Sequence, residues 1–245
     1  MNAFTKPVGA PGTLRVLAAL LSYPDAEHRA WLPEMAQVLR REKALPSARL
    51  AELDALIDRQ RAADPLDVEA EYVQLFDRGR GTSLHLFEHV HGDSRDRGPA
   101  MIDLAQTYEK AGLFLAPGEM PDYLPAVLEF VSTQPAREAK AFLGEMAHIF
   151  NAIFAALRKR DSAYASLLGA LLELAGERAQ PVAPSAEEPL DETWAEPPVF
   201  AGCSSKGQAR PGEPQPIKLM RGMSPPGAAS SAAAPSSASM GGVRQ

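Results

Sequence analysis

The sequence predicts an all-α protein, a single antiparallel helical bundle followed by a disordered C-terminal tail. Three observations carry that prediction. Apolar residues recur at three- and four-residue steps from Leu14 to Leu174, as one face of a helix requires. No convincing alternating strand pattern with hairpin punctuation competes with them. From Ala179 the composition changes, with half of the 22 prolines falling in the last 67 residues among Ser, Ala and Gly. That stretch holds only two aromatics, Trp194 and Phe200, and cannot bury enough apolar surface to offset the entropy of ordering it. The expected organisation is a flexible N-terminus over 1–12, a helical domain over 13–178, and a tail over 179–245.

The elements follow in order. Thr13 is placed to cap a first helix with Leu14, Leu17, Ala18 and Leu21 inward, ended by Pro24 because the residue before proline avoids the α region. Trp31, Met35, Val38 and Leu39 mark a second stretch, in which Pro33 signals a kink or a fresh start. Ser47 is the expected cap of a third helix bearing Leu50, Leu53, Leu56 and Ile57. Asp64-Pro65 has the cap-plus-proline signature of a fourth, with Val68, Tyr72, Leu75 and Phe76 buried. A helix opening near Asp96 carries Met101, Leu104, Ala105 and Tyr108 and stops around Gly112. Pro121 to Pro125 lead into the next, with Leu124, Leu128 and Val131 inward, and Pro135 restarts the chain after it. Phe142, Met146, Ile149, Phe150, Ile153, Phe154 and Leu157 hold the helical spacing for four turns, which predicts one central helix. Asp161 is the expected cap of the last, with Tyr164, Leu167, Leu168, Leu171 and Leu174. Short connections favour antiparallel neighbours.

Composition excludes several functions. A net charge of −6 and a pI near 5.5 argue against a nucleic-acid partner, which a basic patch normally attracts. The single cysteine, Cys203, allows neither an internal disulfide nor a thiolate metal site by itself, and a reducing cytoplasm is the expected compartment. Residues 1–11 lack the apolar core of a secretory signal, and no apolar run reaches the roughly 20 residues that span a bilayer, so no membrane insertion is expected.

The segment from Asp77 to Gly98 differs from the rest. Four arginines, four acids and three of the five histidines fall in these 22 residues. His85, His89 and His91 have a spacing that a metal site can use, yet no glutamate follows the first histidine as in HExxH, and the third points elsewhere on a continuous helix. No metal is therefore assigned, and a small metal-dependent hydrolase using these three is the distant alternative. Gly79 and Gly81 lack the third glycine of a dinucleotide loop. Arg78, Arg80, Arg95 and Arg97 are candidates for contacting an anion or cofactor; against that stands pairing with Asp77, Glu88, Asp93 and Asp96. Ser83, Ser94 and Cys203 lack any context that would activate a nucleophile, so no catalytic residue is assigned.

This segment also carries a resemblance. Glu71-Tyr72-Val73-Gln74-Leu75-Phe76-Asp77-Arg78-Gly79, Ser83-Leu84, Leu86-Phe87-Glu88-His89-Val90-His91-Gly92 and Ser94-Arg95-Asp96-Arg97-Gly98 are similar to the NarJ family of nitrate reductase molybdenum cofactor assembly chaperones. The likeness runs on through Met101, Leu104, Tyr108 and Gly112-Leu113 to Pro121-Asp122-Tyr123-Leu124-Pro125, and returns at Trp194-Ala195-Glu196-Pro197-Pro198-Val199. Gly81 and His85 depart from the pattern, which makes His85 look incidental. The resemblance implies an all-helical, non-enzymatic chaperone of the class that also serves trimethylamine oxide and dimethyl sulfoxide reductases. It implies that the apo catalytic (alpha) subunit of a nitrate reductase is bound through its N-terminal segment and kept competent for cofactor insertion before membrane docking; a different molybdoenzyme of the class is the nearer alternative. No cofactor is expected to be held stably, while a transient contact with the molybdenum guanine dinucleotide cofactor, and with the proteins that make it, is allowed.

A helical bundle with an apolar groove can receive an amphipathic client helix, with aromatic anchors and charges at the rim. Tyr72, Phe76, Phe87 and Tyr123 are the groove candidates, with ordinary core packing as their alternative. Glu88, Asp93, Asp96 and Asp122, with His89 and His91 beside them, are expected to face a client bearing Lys or Arg.

Overall fold

The computed structural model describes residues 10–92 and 94–180, so Asp93, the tail from residue 181, Trp194 and Cys203 lie outside the described residues. The described chain is helical: α1 Pro11–Leu21, α2 Ala26–Glu42, α3 Ser47–Ala62, α4 Pro65–Phe76, a 3-10 turn Arg80–Thr82, α5 Leu86–Val90, α6 Arg97–Lys110, α7 Leu124–Thr133, α8 Ala136–Glu145, α9 Ala147–Lys159 and α10 Ala165–Ala175. The all-α expectation holds, and the extended pairing among the described residues is one antiparallel bridge between His85 and Tyr123.

The centre of the bundle is α10, where every residue but Glu173 is buried. A helix that is apolar all round has to be enclosed on all sides. Accordingly α8 and α9 cover it on one side, α3 and α1 on others, while α1 also lies along α7 and α2. Each fully buried leucine of α10 contributes roughly 2 kcal/mol of transfer free energy, which makes this helix the main organiser of the core.

The expected long central helix is instead two. At Met146 the backbone reaches φ −90 and ψ −2, which ends α8 and opens α9. Gly144, a poor helix former, stands just before the break. The apolar spacing survives because both pieces present their apolar faces to the same partner, α10.

Three predicted caps are replaced. Thr13 lies inside α1, which starts at Pro11, and the cap comes from across the bundle: the Glu42 carboxylate accepts the N–H of Gly12 at 2.9 Å and of Thr13 at 2.6 Å, and the Thr13 hydroxyl at 2.7 Å. Ser47 is the first residue of α3 and Pro46 precedes it as N-cap. Asp161 has φ 51 and turns the chain out of α9, whereas Ser162 Oγ accepts the Tyr164 N–H at 3.3 Å ahead of α10. Asp64 does cap α4, accepting from Leu66 N–H at 2.9 Å. Pro33 neither breaks nor restarts α2; it sits on the exposed side, where water can take the carbonyl that proline leaves without a donor. In α6 only Tyr108 is buried, since the other expected inward residues lie at the periphery of the bundle.

Candidate functional site

The segment between α4 and α6 folds back onto the start of α7, and one buried carboxylate fastens it there. Asp122 is fully buried. Its Oδ2 accepts the Phe87 N–H at 3.2 Å, its Oδ1 lies 3.2 Å from His85 Nδ1, and its backbone carbonyl accepts the Leu86 N–H at 3.0 Å. Leu84 returns the pairing, its carbonyl accepting Leu124 N–H at 2.8 Å. Arg97 at the start of α6 approaches the same carboxylate at 3.8 Å and Glu88 at 3.6 Å. A buried charge is tolerated only with such partners, so these residues form one connected unit. The bond to Asp122 holds the His85 imidazole above the ordinary histidine range, because a neighbouring carboxylate favours the protonated ring.

Behind this clasp stands an aromatic stack. Tyr72 donates its hydroxyl to the Leu21 carbonyl at 2.8 Å and its oxygen lies 3.1 Å from that of Tyr123. The Tyr72 and Phe76 rings are 4.8 Å apart, Phe76 meets Tyr164 edge-on at 5.2 Å, and Tyr23 meets Tyr72 edge-on at 5.6 Å. Such tilted and edge-on pairs add about 1 kcal/mol each beyond their buried area. Burial raises the hydroxyl pKa of Tyr72 and Tyr123, and pushes Tyr164 up to about 12, so all three stay neutral.

Two clefts open beside the clasp. One of about 420 Å³ is bounded by Phe76, Asp77, Arg80, His85, Glu88 and Arg97. The other, about 210 Å³, is bounded by Tyr23, Tyr72, Phe76, Leu84, His85 and Tyr123. The residues singled out in the sequence are therefore only partly gathered. Glu88 and Tyr123 reach a cleft, while Tyr72 and Phe76 are mainly core and show only an edge. Phe87 stacks edge-on against His91 at 5.3 Å on the outer side of α5. Asp122, expected on the rim, lies beneath it, fully buried and with each carboxylate oxygen engaged by an internal partner. Asp96 sits apart, exposed on the turn before α6, where Ser94 Oγ is 3.3 Å away. His85, which looked incidental, is central, and its partner 37 residues away explains why no local pattern gave it this place.

The histidines do not converge. His89 Nε2 donates to the Ser83 carbonyl at 2.8 Å, His91 rests on Phe87, and His85 faces Asp122. His85 and His91 flank α5 and His89 lies within it, each with a different partner, and among the described residues no group of three His, Cys, Asp or Glu is set to hold a metal. The arginines are also dispersed. Arg78 lies 3.5 Å from Gln74, Arg95 is exposed on a turn, and Arg80 and Arg97 share their cleft with Asp77 and Glu88. Two carboxylates balance two guanidiniums there, which does not fit a site for a polyanionic dinucleotide. Among the described residues no helix is long and apolar enough to cross a membrane.

Comparison with known proteins adds to this geometry. The family described as "Nitrate reductase delta subunit" matches residues 41–169. The chain is 45% identical over 162 residues to "Nitrate reductase molybdenum cofactor assembly chaperone NarJ" of Escherichia coli (strain K12), covering 66% of this chain and 69% of that protein. It is 41% identical over 163 residues to "Probable nitrate reductase molybdenum cofactor assembly chaperone NarW" of the same organism, covering 66% and 68%. It is 32% identical over 167 residues to the "Probable nitrate reductase molybdenum cofactor assembly chaperone NarJ" of Bacillus subtilis (strain 168), covering 65% and 86%.

Proposed function

Since the chain belongs to the nitrate reductase delta subunit family, we propose that it acts as a NarJ-type assembly chaperone that binds the immature catalytic (alpha) subunit of a nitrate reductase. In this reading it grips the client's N-terminal segment, keeps the subunit competent to receive its molybdenum cofactor, works in the cytoplasm, and is released before membrane docking. It is a binding protein and not an enzyme. The observation that carries the reading is the 45% identity to a named assembly chaperone. The clasp adds physical sense. A pre-organised rim on α5, backed by an aromatic stack, offers apolar edges and paired charges to a flexible peptide.

Coupled folding of a flexible client costs several kcal/mol, which keeps affinity moderate and favours release once the client folds. We assign no stably bound cofactor, because the Arg80 and Arg97 cleft is charge-balanced. Any encounter with the molybdenum guanine dinucleotide cofactor, or with the proteins that make it, is then transient and takes place through the client.

Co-purification from cells making the alpha subunit, with and without its N-terminal segment, tests the reading. Capture of the intact subunit and loss with the shortened one are expected. Equal capture of both would remove the N-terminal grip, and capture of neither would remove the proposal.

A further inference from the structure

α2 is an outer helix that packs chiefly on α1 and α3. Leu32, Met35, Ala36 and Leu39 are its buried side. Beside that side runs a second stripe, Trp31, Glu34, Val38 and Arg41, whose steps of three, four and three residues place them on one face. Trp31 is 54% exposed, an unusual position for the largest apolar side chain. Glu34 and Arg41 are exposed and Val38 is half-buried. With Val16 and Ala19 of α1 these residues bound a groove of about 410 Å³ that has an apolar floor and a charge toward each end. Neither charge is ion-paired among the described residues, and the neighbouring Arg40 takes Asp54 instead, at 2.9 Å.

From N- to C-terminus the stripe reads aromatic, acid, apolar, base. An antiparallel copy of the same helix presents that order reversed, so the stripe complements itself. With a two-fold axis between residues 37 and 38, Glu34 and Arg41 each lie about 5 Å from the axis, at 1.5 Å of rise per residue. Each carboxylate then faces the guanidinium of the other copy, and the two Val38 side chains meet at the centre. Arg41 of the second copy also comes within one turn of Trp31, whose ring face attracts a guanidinium. A parallel copy would set Glu34 against Glu34 and Arg41 against Arg41, which like-charge repulsion opposes.

We infer that the α2 stripe is a self-association surface, on which a second copy of this chain docks antiparallel in a two-fold pair. Four residues and a shallow groove make less than the roughly 800 Å² per partner of a standard interface, so the pair is transient, with a dissociation constant on the order of 0.1 mM. The assignment stands apart from the nitrate reductase reading.

Sedimentation equilibrium of the full-length chain from about 10 to 500 μM, a range that brackets weak pairing, tests it. The mean mass should climb toward twice that of one chain. Glu34→Arg and Arg41→Glu should each weaken association about tenfold or more, because two attractive contacts per pair become repulsive. Combining them exchanges the charges and should restore association. Mixing the two singly reversed proteins should also restore it, since one stripe is then wholly cationic and the other wholly anionic. A mean mass that stays at one chain throughout, single reversals that associate like the original, or a combination and a mixture that do not restore it would each overturn the inference.

Discussion

The Glu42 carboxylate sits over the N-terminus of α1, where one oxygen takes both the N–H and the hydroxyl of Thr13, at 2.6 and 2.7 Å. A negative group at this end of a helix satisfies orphan N–H donors and meets the positive end of the backbone dipole. Gly12 makes the approach possible: a Cβ there would lie 2.7 Å from Glu42 Oε1 and 2.8 Å from Val38 Cγ1. Glu42→Ala should therefore cost about 1 to 2 kcal/mol, within the range of a lost cap, and Glu42→Gln less. Urea denaturation with unchanged slope is the measurement.

The core should be unequal in its tolerance. Leu168 on α10 is fully buried, and Leu168→Ala is expected to cost about 2 to 5 kcal/mol, the range for a leucine cavity. Ile102 on α6 is exposed, so Ile102→Ala should stay within about 0.5 kcal/mol. Thermal unfolding of both variants gives the comparison.

Asp122→Asn keeps the size of the side chain and removes its charge. With the amide oxygen in the place of Oδ2 the N–H of Phe87 retains an acceptor and Arg97 faces a neutral oxygen in place of a charged one, while His85 loses its acceptor. A loss of about 1 to 3 kcal/mol is expected, the cost of leaving buried polar groups poorly matched. The imidazole resonances of His85 should also titrate at lower pH than in the wild type. A His85 titration that does not move would show that Asp122 is not what raises it.

Two histidines should act on opposite sides of the unfolded histidine pKa of about 6.5. His85 is raised by Asp122, so its contribution is fully present below that value and is lost as pH climbs through the higher folded pKa. His28 is lowered, chiefly by burial, although the Gln60 side chain 3.3 Å away partly offsets this. Its neutral form is the stable one, so stability should fall as pH drops below the unfolded value. His28→Gln should flatten the acid limb and His85→Gln the neutral limb of a stability profile measured by denaturation between pH 5 and 8 (about the range in which histidine titrates).

What the sequence reveals and what it hides follow from distance along the chain. Asp64-Pro65 is legible because the cap bonds an N–H two residues away. The apolar faces of α4, α7 and α10 are legible for the same reason, since periodicity is local. The Glu42 cap is 29 and 30 residues from its partners, and His85 meets Asp122 across 37. No spacing rule reaches that far. The break at Met146 was hidden differently, because two helices that share one apolar partner keep one period. Of the candidate site, Glu88 and Tyr123 were read into a cleft they do reach, while Asp122 was read onto a surface it does not touch. Sequence marks a residue as charged, but the fold decides which side of the wall the charge stands on.

The position of α10 has a consequence for how this chain is made. The helix that fills the centre of the bundle is the last of the described helices to leave the ribosome. Until it does, α1, α3, α8 and α9 have no common partner for the faces they will bury against it. During synthesis these helices are exposed intermediates, prone to the association that unburied apolar surface invites. A nascent chaperone of this design is itself, for some seconds, a polypeptide in need of protection.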